Sequence, residues 1–98
     1  MTHYVLTSAA EDDLRNILEF LVVESPSTAT RVLDALQEAM RLLGERPGIG
    51  HRRTDLADET LRFWPVFSYL VIYRPDTAPV QVIRILHGAR DVRRLLEG

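Results

Sequence analysis

The chain predicts an α+β fold: an antiparallel β-sheet packed by an N-terminal α-helical hairpin, in the order β-α-α-β-β-β with a short C-terminal helix. Three observations carry this. Apolar residues recur at helical spacing twice in the first half of the chain. Three β-rich runs follow one another through short turns in the second half, and strands joined that way run antiparallel. The 98 residues, 46% of them hydrophobic and 27% charged, suit one domain spanning 1–98 with a single core.

Each element has a local reason. "HYVLT" (3–7) is β-branched and aromatic, as a strand requires. Ser8 with Glu11 three positions later forms a capping-box pattern and opens a first helix. Leu14, Ile17, Leu18, Leu21 and Val22 give that helix an apolar stripe up to about Glu24. Phe20 and Val23 fall off the stripe and are candidates for a partner-binding surface. Ser25 caps a second helix, with Pro26 at its first position, where the missing N–H costs nothing. Ala29, Val32, Leu33, Leu36, Met40 and Leu43 form its stripe, and Gly44 and Pro47 are expected to end it.

Residues 45–60 read as a loop. "LRFWPVF" (61–67) is a strand kept to a bend or a sheet edge by Pro65. "SYLVIYR" (68–74) is apolar enough for a central strand, "PDTAP" (75–79) is a turn, and "VQVIRILH" (80–87) is the last strand. "ARDVRRLLE" (89–97) completes the order as the C-terminal helix. Strand alternation places Ile83 and Ile85 on one face, and Val82, Arg84 and Leu86 on the other. With the isoleucines against the helices, Arg84 points to the uncovered face.

Charge narrows the function classes. All twelve basic residues are arginine, and the net charge is −2. Residues 1–49 carry four Arg against eight Asp and Glu; residues 50–98 carry eight Arg against six. An anion-facing surface therefore belongs to the second half. The acidic whole argues against direct sequence-specific DNA binding by this chain alone. There is no cysteine, which excludes disulfides and thiolate metal sites. His3, His51 and His87 lie far apart without ligand spacing, so neither a metal nor another cofactor is expected. No segment resembles a secretion signal or a membrane span, and the expected location is cytoplasmic. The glycines of "GERPGIG" follow a helix rather than a strand, which argues against a phosphate loop.

The arginines and one histidine form the remaining candidate constellation. Arg62, Arg74, Arg84 and Arg90 could face a partner or target, because guanidinium groups bind carboxylates and phosphates well. A simpler reading pairs Arg84 with a carboxylate such as Asp91.

"LTSAAEDDLRNILEFL", "RPGIGHRRTDL", "LRFWPVFSYLVIYR" and "VQVIRILHGARDVRRLL", in this order and spacing, resemble the ParE/RelE superfamily of toxins from type II toxin–antitoxin systems. The "ILHGARD" and "RPGIGHRR" stretches look more like the ParE branch. That resemblance implies a toxin inhibiting DNA gyrase and neutralised by a ParD-like antitoxin, without enzymatic chemistry of its own. A RelE-like reading would instead imply ribosome-dependent cleavage of mRNA. Arg84 would then stabilise the transition state, His87 would serve as general acid or base, and Tyr73 would assist. A third alternative is a non-toxic antitoxin-binding module.

Overall fold

A computed structural model describes residues 3–53, 55, 59–88, 90, 91 and 94. The elements are β1 (Tyr4–Leu6), α1 (Ser8–Glu24), α2 (Pro26–Glu45), a 3-10 turn (Pro47–Ile49), β2 (Arg62–Val66), β3 (Tyr69–Arg74) and β4 (Val80–His87). The C-terminal helix expected over 89–97 falls largely outside the described residues.

The sheet order is β1-β4-β3-β2. Antiparallel pairing joins β2 to β3 and β3 to β4, as expected of a meander. The sheet is nevertheless mixed, not wholly antiparallel, because β1 runs parallel to β4. The helical hairpin and the antiparallel pair β2 and β3 lie between them in sequence, a long connection of the kind that parallel neighbours need.

The cap of α1 also differs from expectation. Thr7, not Ser8, is the N-cap, and its hydroxyl oxygen accepts from the Ala10 N–H at 3.1 Å. The same hydroxyl donates to the carbonyl of Ile83 at 2.8 Å, tying the helix start to β4. Ser25 caps α2 as predicted, accepting from the Thr28 N–H at 3.3 Å. Gly44 does not stop α2, which continues to Glu45. Its bare Cα instead lets the helix approach His3, since a Cβ there would overlap the His3 backbone.

The two helices are seated differently. α2 buries Ala29, Val32, Leu36, Ala39, Met40 and Leu43 against the sheet. Leu36 and Leu43 are fully enclosed, and burial of each contributes roughly 1.5–3 kcal/mol. Of α1 only Ala10 is buried, while Leu14, Ile17 and Leu21 pack partly against the core. On the other side of its C-terminal half, Phe20, Val22 and Val23 are exposed.

A bulge overturns the simple alternation on β4. Ile72 pairs with Arg84, but Tyr73 pairs with Val82, so Ile83 is the extra residue. Val80 and Val82 before the bulge and Ile85 after it share the helix-side core. Ile83 and Ile85 therefore do not act as a pair. Leu86 joins Phe63 and Ile72 in a second apolar cluster on the opposite face.

Candidate functional site

β1 pairs with β4 only as far as Val82. Beyond that point, among the described residues, β4 has no neighbouring strand on its outer side. The start of α1 and the residues after His87 flank this free stretch. Between them lies a groove of about 560 Å³. Asp13, Asn16, Ile17 and Phe20 of α1 form one wall; Arg90, Asp91 and Arg94 stand on the other side. Tyr69, Arg84, Ile85 and Leu86 complete the lining. The spacing 13, 16, 17, 20 is one helical face, which explains why these α1 residues converge.

Two aspartates satisfy the strand edge. Asp13 accepts from the Ile85 N–H at 2.9 Å, and receives Nε and Nη2 of Arg84 at 2.7 and 3.0 Å. Asp91 accepts from the His87 N–H at 2.8 Å and from Nε of Arg90 at 3.0 Å. Each carboxylate thus binds one edge amide and one guanidinium. Its hydrogen bonds to Asp13 hold the Arg84 guanidinium above its ordinary pKa. Burial works to raise the Asp91 carboxyl, yet the Arg90 and His87 donors outweigh it and leave the pKa below the usual range.

The candidate residues separate in this geometry. Phe20, Arg84 and Arg90 meet in the groove. Arg84 pairs with Asp13, not with Asp91. His87 lies beside the groove, half-buried, edge-on to the Tyr69 ring, with Nδ1 accepting from the Arg90 N–H at 3.2 Å. Val23 continues the exposed face of α1 beyond Phe20, with 83% of its surface accessible. Arg74 is exposed at the end of β3, away from the groove lining. Arg62 donates to the carbonyls of Gly48 and Gly50, both at 3.1 Å, and so braces the turn after α2.

Tyr73 is wholly buried. Its hydroxyl donates to the Pro47 carbonyl at 2.7 Å and accepts from the Gly50 N–H at 2.9 Å. Burial raises its pKa, against the opposing pull of the Gly50 N–H and the Arg62 charge. These bonds give it the work of anchoring the 47–50 turn.

Sequence reasoning did not single out Asp13, Asn16, Ile17 or Tyr69 for the site. Asp13 looks like an ordinary acidic residue at a helix start, and only the fold brings it to Arg84. Among the described residues, no three His, Asp or Glu side chains converge as a metal site. Nor is any helix among them long and apolar enough to cross a membrane.

The family model for the ParE toxin of the type II toxin–antitoxin system parDE matches residues 4–92. A solved structure described as the chromosomal ParDE TA system from P. aeruginosa shares the fold with a TM-score of 0.71 and 21% identity. The match covers 86% of this chain and 92% of that one. No curated protein matches the sequence.

Proposed function

The chain belongs to the ParE toxin family of type II toxin–antitoxin systems, and from that premise we propose that it inhibits DNA gyrase in the cytoplasm until an antitoxin neutralises it. ParE toxins pair with ParD antitoxins in parDE systems. The observation that carries the gyrase reading is the ParE family match across residues 4–92. The commitments of the RNA-cleaving candidates add support. Arg84 is held by Asp13, His87 Nδ1 by the Arg90 amide, and the Tyr73 hydroxyl is enclosed on the helix side of the sheet. A cleavage centre needs such groups converging on one phosphate.

Supercoiling by purified gyrase tests the proposal. Stoichiometric toxin should inhibit supercoiling and trap cleaved DNA, and added antitoxin should restore activity. Undiminished supercoiling at molar excess of folded toxin, with translated mRNA cut instead, would replace gyrase with the ribosome as the target.

A further inference from the structure

The tip of the β2–β3 hairpin breaks a local rule. Val66 and Tyr69 are paired across it, which leaves Phe67 and Ser68 as a two-residue turn. Phe67 has a φ of 53°, and among the described residues it is the only non-glycine in the left-handed region. Hairpins give such a position to Gly, Asn or Asp, because a Cβ there crowds the following carbonyl oxygen. An aromatic residue at this place holds backbone strain that glycine would remove.

Packing does not explain the choice. Phe67 belongs to neither apolar core cluster, and 65% of its surface is exposed. The tip is nevertheless firmly held. The Gly88 N–H donates to the Ser68 carbonyl at 2.7 Å, and His87 meets the Tyr69 ring edge-on at 5.7 Å. The end of β4 therefore grips both residues that follow Phe67, and the ring projects from a fixed base.

A projecting aromatic on a rigid turn suits a preformed pocket, because its position is set before contact. A segment that folds on binding moulds itself to the surface it meets and needs no such fixture. Charge beside the tip narrows the pocket. Tyr69, two residues on, lines the groove in which Arg84, Arg90 and Arg94 face Asp13 and Asp91. Three guanidinium groups against two carboxylates make that neighbourhood net positive. The fitting surface is therefore apolar at its centre and acidic at its rim, which describes a protein rather than a nucleic acid.

We propose that Phe67 anchors the toxin on its target by entering an apolar, acid-rimmed pocket on the gyrase protein. The proposal rests on the gyrase reading above for the identity of that target. The strain at the turn is then the cost of presenting a large ring at a fixed place, and the ring serves the encounter instead of the fold.

Replacing the anchor should separate properties that a merely structural residue would move together. Phe67→Gly should melt no earlier than wild type, since glycine adopts the left-handed turn without strain. Its calorimetric affinity for the cognate antitoxin should change by less than about twofold. Half-inhibition of supercoiling should need about tenfold more toxin, and binding to gyrase without DNA should weaken by about the same factor. Phe67→Asn, which also tolerates the turn, should repeat this pattern. Phe67→Leu keeps apolar bulk and should lose no more than about threefold in inhibition. The proposal is overturned if Phe67→Gly inhibits as strongly as wild type, melts earlier, or loses antitoxin affinity in step with inhibition. It is also overturned if the weakening appears only when DNA is present, which would give the ring to the nucleic acid. A wild-type dimer that Phe67→Gly converts to monomer would give the tip to a second copy instead. Wild-type toxin that leaves gyrase fully active refutes the gyrase reading on its own. Growth arrest in cells then decides the tip: relief by Phe67→Gly keeps the anchor for another target, and undiminished arrest overturns it.

Discussion

Gly50 and Tyr73 meet so closely that no methyl group fits between them. The Gly50 N–H donates to the Tyr73 hydroxyl at 2.9 Å, and a Cβ on Gly50 would overlap the phenol ring. Gly50→Ala should therefore destabilise the toxin by about 1–3 kcal/mol, as overpacking of a filled site does. Denaturant unfolding would measure it. Gly48→Ala, two residues away with open space around it, is the matched control and should shift the midpoint far less.

Tyr73→Phe should cost about 1–3 kcal/mol, because the Gly50 amide and the Pro47 carbonyl lose their shared partner. The raised pKa of Tyr73 also fixes a sign. Folding favours the neutral phenol, so its contribution is complete below the unfolded tyrosine value of about 10 and fades as pH rises through the higher folded value. Stability measured from pH 9 upward should fall in the wild type, and this component of the fall should be absent in Tyr73→Phe.

Thr7→Ala should destabilise the fold by about 1–2 kcal/mol, since one hydroxyl both caps α1 and bonds to Ile83. Ser8→Ala should change stability little, because Ser8 is exposed and is not the cap. A thermal melt that ranks Ser8→Ala as the more damaging variant would contradict this assignment.

Asp91 predicts an acid-sensitive edge. Its folded pKa is lowered, so the stability it contributes is present above the unfolded aspartate value of about 3.9 and is lost as pH falls through the lower folded value. NMR titration below about pH 4 should show the His87 amide and Arg90 Nε–H signals moving together as the carboxylate is protonated.

The helices and the three-strand meander were legible because each is written in local spacing. Ser25 before Pro26 marked the second helix start, and the long apolar run at 69–73 marked a central strand. The missed features depend on contacts made across the chain. Nothing near Ser8 shows that Thr7 takes the cap, since Thr7 gains its second bond from Ile83. Gly44 has the local form of a helix terminator, and only the distant His3 explains why it lies inside α2. The alternation rule failed on β4 because a bulge follows from how β3 and β4 pair. The arginines were legible as a group, but their partners were not: Arg84 and Asp13 are 71 positions apart.

The bond from Thr7 to the carbonyl of Ile83 spans 76 positions in the chain. A growing polypeptide has its first strand and both helices long before it has the strand that β1 must join. Translation therefore delivers the hairpin early and the closed sheet late. Until Ile83 has been made, α1 has no β4 to anchor it and Asp13 has no edge to close. The arrangement acts as a clock: the ribosome must pass the last strand before the groove beside β4 can form.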